Sequence, residues 1–131
     1  MEQRKINPWK WQDQYGFSQG IEVSNASRVL YCAGQASVDD TGKPVHAGDM
    51  RKQIAQAFRN LETVLKAAGF GTANVVRLNY YTTDVEAFLG ASDVVAEHLS
   101  ESACPPAGVL LGVSKLAFPG LMIEIEATAV R

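Results

Sequence analysis

The chain has little of what marks specialised proteins. Only 2 of its 131 residues are cysteine, Cys32 and Cys104. They lie far apart with no Cys or His at metal-ligand spacing, which excludes a disulfide framework and a zinc site and reads both as small buried hydrophobes. With 5 prolines and 11 glycines it is neither collagen-like nor a low-complexity chain. A basic excess is also missing, since 12 Lys and Arg stand against 14 Asp and Glu for a net charge of -2. Close basic clusters do not exceed pairs such as Arg51-Lys52, so binding through nucleic-acid phosphates is not expected. No apolar run reaches the length of a membrane span, and the opening MEQRKINPWKWQDQYGFSQG has neither the apolar core nor the cleavage site of a signal peptide. The expected location is the cytoplasm. Neither Gly34 nor Gly108 begins a glycine-rich turn into a helix, so no phosphate loop is indicated, and no spacing implies a metal or organic cofactor.

What is present is an ordinary globular composition, 47% hydrophobic and 20% charged, without linker or repeat. Residues 1–131 read as one domain. Phe17 to Ser24 and Arg28 to Ala33 look like strands separated by Asn25-Ala26-Ser27, a turn composition that predicts a hairpin. Gly34 to Gly48, with Asp39-Asp40-Thr41-Gly42-Lys43-Pro44, reads as a loop. From Asp49 to Ala68 the residues Met50, Ile54, Ala57, Phe58, Leu61 and Leu65 recur at helical steps, with Asp49 able to cap the start and Gly69 the end. Asn74 to Thr82 is β-branched and aromatic, a strand, and Asp84 caps a second helix through about Leu99. Pro105-Pro106 stops that helix ahead of Ala107 to Val113, which is apolar on both alternating faces and should be buried on both. Leu121 to Val130 alternates cleanly and places Glu124 and Glu126 on the face away from Ile123 and Ile125. The order β-β-α-β-α-β-β predicts an α+β domain whose mostly antiparallel sheet carries two helices on one face. Two helices leave the other face uncovered, so a second copy of the chain is the simplest cover.

Several stretches carry a family resemblance: Phe17-Ser18-Gln19-Gly20; Ala33-Gly34-Gln35 followed by Asp40-Thr41-Gly42; Gln56-Ala57 with Asn60-Leu61 and Ala67-Ala68-Gly69; and Glu124-Ile125-Glu126-Ala127-Thr128-Ala129-Val130. In order and spacing, from Phe17 to Arg131, the chain resembles the RidA/YjgF family. That resemblance implies a chorismate-mutase-like α+β fold, a homotrimer, and small-metabolite clefts between subunits. It also implies hydrolysis of enamines and imines to ketoacids and ammonia, using an arginine just after a Pro-Ala pair to fork onto the substrate carboxylate. Here Pro106-Ala107 is followed by Gly108. Other cleft positions differ too: the family's tyrosine is Phe17, its serine before Gly-Gln is Ala33, its helical asparagine is Ser92, and a frequent cysteine is Leu110. The Gly34 amide, to hold an oxygen, and the Glu124 carboxylate, to orient or activate water, remain.

Glu124 set against apolar Leu110 and Phe17 would ionise above the usual carboxylate range and suit proton transfer, whereas alternating Glu on a strand is also what a solvated face looks like. Arg77 could enter the cleft in place of the missing arginine, or form an interfacial salt bridge, for instance to Glu126, the blander and favoured reading. His46 and His98 are expected on the surface, and Trp9 and Trp11 as anchors of a terminal arm, with a lid over the cleft as the sharper alternative. Two functions stay open: an enamine- or imine-hydrolysing enzyme with Glu124 as its catalytic group, and a binding or sensor protein that holds a metabolite in the same clefts. A third label carried by the family, ribonuclease, is disfavoured by the charge balance and by the lack of paired histidines.

Overall fold

The computed structural model describes residues 1–102 and 104–131. Nine regular elements follow in chain order: β1 (Glu2–Ile6), β2 (Gly20–Ser24), β3 (Val29–Ala36), α1 (Met50–Ala67), β4 (Val75–Thr82), α2 (Val85–Leu89), α3 (Ser92–His98), β5 (Leu110–Gly112) and β6 (Ile123–Val130). The main sheet has the order β3-β6-β4-β5, antiparallel except for the β4–β5 pair. α1 lies across one face of it. Ile54, Ala57, Phe58, Leu61 and Leu65 on the helix meet Ile123, Ile125, Ala127 and Ala129 on β6, all of them buried. Burial of a side chain such as Phe58 is worth on the order of 2–3 kcal/mol, so the 3.6-residue stripe of α1 meeting the two-residue period of β6 fixes the core.

The ends of α1 are set as its sequence implies. Asp49 accepts from the Lys52 N–H at 3.0 Å. At the other end Gly69 adopts φ +79, and the N–H groups of Gly69 and Phe70 return to the carbonyls of Lys66 and Leu65 at 3.1 and 2.8 Å, closing the last turn in a Schellman motif. Buried Gln53 ties the helix to the loops around it. Its amide donates to the His46 and Gly120 carbonyls at 3.1 and 2.8 Å and accepts from the Met122 N–H at 2.8 Å. Asn60 does the same for the end of β3 by donating to Ala36 and Val38.

Three expectations need correction. Phe17–Ser24 and Arg28–Ala33 do not form a hairpin: β2 pairs with β1 in a separate two-stranded sheet, and β3 pairs with β6. The turn at Asn25, in the left-handed region at φ +58, leads to Ser27 and Arg28, whose amides bond the Arg131 carbonyl and so deliver β3 to the end of β6. The charged sequence of β1 conceals its strand character, which comes from pairing with β2 and from a surface ion pair of Arg4 with Glu22. The predicted second helix is broken into α2 and α3 at Gly90 and Ala91, where glycine costs helix stability and Ala91 is drawn into the core. Finally, β5 is covered on its helix side by the packing of Leu110 against the core. Its other side leaves Val109 46% and Leu111 48% exposed, the face for which a second copy was the expected cover, and the strand spans Leu110–Gly112 rather than Ala107 to Val113.

Candidate functional site

The residues singled out in the sequence fall into two groups on opposite sides of the main sheet. Along β4, Leu78 and Tyr80 point to the helix side while Arg77, Asn79 and Tyr81 point to the open side, because successive side chains of a strand alternate. On the helix side, between the N-terminal arm, α2–α3 and the lead into β5, lies a cavity of about 960 Å³. Phe17, Ser92, Gly108 and Leu110 all line it. The arm contributes a short 3-10 turn, Trp11–Tyr15, ended by Gly16 at φ +70, which folds Phe17 back onto Trp11. The rings of Trp11 and Phe17 stand edge to face at 5.7 Å, and those of Trp11 and Tyr15 at 6.3 Å. Trp11 is therefore part of the cavity wall, whereas Trp9 is a solvent-exposed side chain outside it.

Gly108 is fixed closely against β4. The Leu78 N–H donates to the Ala107 carbonyl at 2.9 Å, the Tyr80 N–H to Val109 at 2.8 Å, and the Val109 N–H to the Asn79 side-chain oxygen at 3.1 Å. A β-carbon at position 108 would come within 2.7 Å of the Leu78 carbonyl carbon and closer still to its oxygen. The missing arginine is thus more than a changed side chain, since the backbone leaves no room for any side chain there.

The second group occupies the open face. Glu124 on β6 lies opposite Tyr81 on β4, and its carboxylate approaches Gly34 so closely that a β-carbon on the glycine would sit 2.8 Å from the carboxylate carbon. Ala33 and Gly34 occupy the register shift between Cys32 and Gln35, a bulge in the β3–β6 ladder. Such bulges bend a strand and re-aim its backbone; this one leaves space for the Glu124 carboxylate. Glu124 is half-buried, but Leu110 and Phe17 belong to the cavity on the other side, so the apolar neighbours expected of it are not beside it within one chain.

Glu126 faces the same side and accepts hydrogen bonds from the Tyr81 hydroxyl and, at 3.2 Å, from the Asn79 amide. These bonds, Tyr81 first, hold its carboxyl below the usual range, and the same bond raises the Tyr81 phenol. Among the described residues Arg77 joins no salt bridge within the chain. Arg77 instead borders a hollow of about 220 Å³ with Tyr31, Asn79 and Thr128. His98 was expected at the surface, yet its ring stacks on Phe58 at 4.9 Å and its Nδ1 lies 2.9 Å from Glu62. Cys32 is buried and Cys104 half-buried, both as free thiols. No helix among the described residues is long and apolar enough to cross a membrane, and no cluster of three potential metal ligands occurs there.

A four-stranded sheet backed by one long and two short helices, with a bulge at a carboxylate and an edge cavity, defines a small α+β protein whose candidate site residues are split between two faces of the sheet. The sequence model described as endoribonuclease L-PSP matches residues 12–131. A RutC family protein of Pyrococcus horikoshii is 34% identical over 86% of this chain and 85% of its own. The human 2-iminobutanoate/2-iminopropanoate deaminase is 29% identical over 88% of this chain and 80% of its own. Among solved structures, YyfB of Yersinia pestis, a conserved Rid-family protein of unknown function, superposes with a TM-score of 0.89 at 34% identity over 100% of both chains. The chain belongs to the RidA/YjgF family.

Proposed function

We propose that the chain acts as a homotrimer whose small-metabolite clefts form where the edge cavity of one copy meets the open sheet face of the next, and that these clefts hydrolyse an enamine- or imine-type substrate. The observation that carries this reading is the division of the site. Phe17, Ser92, Gly108 and Leu110 lie on one side of β4, while Gly34, Ala33, Glu124 and Arg77 lie on the other. No one chain can bring both sets to one ligand. The open face bears the apolar exposure that a partner would cover, with Tyr31 79% exposed at its β3 edge and Leu111 half-exposed at its β5 edge. An interface that joins two different surfaces of one chain is satisfied by a closed ring, and the family resemblance sets its number at three.

In that cleft Glu124 would hold and deprotonate the attacking water, and the Gly34 N–H would hold the oxygen that develops charge. A relative's description as an imine deaminase supports the reaction class. The free thiols Cys32 and Cys104 suit the reducing cytoplasm. The second reading, a binding or sensor protein, is favoured by Gly108, which supplies no cation and has no room for one.

The test pairs sedimentation with turnover. A trimer at micromolar concentration, together with imine hydrolysis that Glu124→Gln abolishes without loss of ligand affinity, is the expected result. A monomer would overturn the divided cleft. A trimer that binds imine-like ligands but never turns them over would favour the sensor.

A further inference from the structure

Resting on the hydrolase reading, we infer that the substrate is an iminium without a carboxylate, the product of oxidising an aryl- or alkyl-bearing primary amine, and that 2-imino acids are excluded by charge. The cavity wall contains no Lys, Arg or His among the described residues; its charged members are Asp13 and Asp93. Asp93 is held by both terminal nitrogens of the Arg51 guanidinium, at 2.9 and 2.7 Å. Asp13 accepts only a neutral bond, from the Gln12 amide at 3.2 Å, and joins no salt bridge among the described residues. The rings of Trp11, Tyr15 and Phe17 line the same cavity. An open carboxylate next to aromatic faces attracts a cation, since ring faces carry negative charge density. An entering carboxylate would lose its hydration and find no compensating cation.

Position 108 cannot supply that cation, because Leu78 occupies the space its side chain would need. Arg77 does not replace it. It pairs opposite Thr128, four residues along β6 from Glu124, about 13 Å at the rise of a strand. Arg77 lines the separate hollow bounded by Tyr31 and Thr128 and is no part of the cavity wall. A cavity of about 960 Å³ with mostly apolar walls does accept an aromatic or branched aliphatic group.

The reaction balances without a cofactor. The oxygen of water adds to the iminium carbon, its protons pass to nitrogen by way of Glu124, and the carbon–nitrogen bond breaks with its electrons leaving on nitrogen. One iminium and one water give one carbonyl compound and one ammonium ion. The reaction class that must supply such a substrate is the two-electron oxidation of a primary amine.

The experiment compares two imines that differ only in the carboxylate. One is released from 2-phenylethylamine by a flavin amine oxidase, the other from phenylalanine by an amino-acid oxidase, and both are trapped with semicarbazide in competition with the protein. The expected result is a kcat/KM at least about tenfold higher for the carboxylate-free imine. Equal or greater efficiency on the imino acid overturns the substrate assignment and leaves the hydrolase reading standing. No turnover of either overturns both.

A second arm reads charge selection apart from catalysis, through the fluorescence of Trp11 in titrations with 2-phenylethylammonium, 2-phenylethanol and phenylacetate. Asp13 is solvent-exposed, so Asp13→Asn should fold as the parent does. It should weaken the ammonium several-fold and leave the alcohol unchanged. An unchanged ammonium affinity, or phenylacetate binding as tightly as the ammonium, overturns the proposal.

Discussion

Returning an arginine to position 108 should destabilise the protein rather than give it imino-acid activity. The perturbation is the β-carbon itself, which would fall within 2.7 Å of the Leu78 carbonyl carbon and 3.2 Å of the Asn79 side-chain oxygen. Backbone cannot yield there as a flexible side chain could, so the lead into β5 must lift away from β4. Lifting it strains four hydrogen bonds: Ala107 N–H to Val76, Leu78 N–H to Ala107, Tyr80 N–H to Val109, and Val109 N–H to Asn79. Loss of two or three such bonds, at about 1 kcal/mol each with some desolvation cost, amounts to roughly 2–4 kcal/mol. For a domain of this size that is a fall in Tm of roughly 6–16 °C. Differential scanning calorimetry of Gly108→Arg and Gly108→Ala checks it, and the two should fall alike, since both add the same β-carbon. If Gly108→Arg kept the parent's Tm and gained turnover of 2-imino acids, the argument from Leu78 would be refuted.

Gly34→Ala presses instead on the far end of a flexible side chain, the Glu124 carboxylate. It should leave Tm within a few degrees and remove most imine turnover, a pairing that thermal melts and the trapping assay read together. Gln53→Ala leaves the His46 and Gly120 carbonyls and the Met122 amide without their partner, and should lower stability by about 2–4 kcal/mol in urea unfolding. The pH dependence follows from Glu126, held below the usual carboxylate range by Tyr81 and Asn79. Its depressed folded value means a contribution that is full above about pH 5 and fades as acid protonates the folded form, so Glu126→Gln should flatten the acid limb of the Tm–pH curve. Asp39 and Asp93, shifted the same way by Thr41 and Arg51, should leave a residual slope.

Patterns that depend on one element alone were legible in the sequence. The helical stripe of α1, its Asp49 cap and Gly69 stop, and the alternation of β6 each follow from residue spacing, and the structure has them where they were expected. Patterns that depend on a partner far along the chain were not. Glu2–Ile6 is a strand because β2 lies beside it, and β2 lies there because the Arg131 carbonyl takes the amides of Ser27 and Arg28 and draws β3 away to β6. Gln53 carries no periodic signal as a clamp, since its three partners lie in the two loops it joins. In the candidate site the residue identities were readable, but the lack of space at Gly108 was not, because it depends on how closely the lead into β5 lies on β4.

The two-residue period of β4 also explains why the candidate residues fall into two groups that one chain does not bring together. Leu78 and Tyr80 serve the cavity wall, and Asn79 and Tyr81, one residue away, serve the face that holds Glu124. A sheet one strand thick separates them. No side-chain rotation carries a ligand in the cavity to the Glu124 carboxylate through that sheet, so chemistry that needs both must take them from two chains. On the proposed function, assembly and catalysis are then a single equilibrium: dilution below the subunit dissociation constant should abolish turnover, and a tight ligand should hold the copies together.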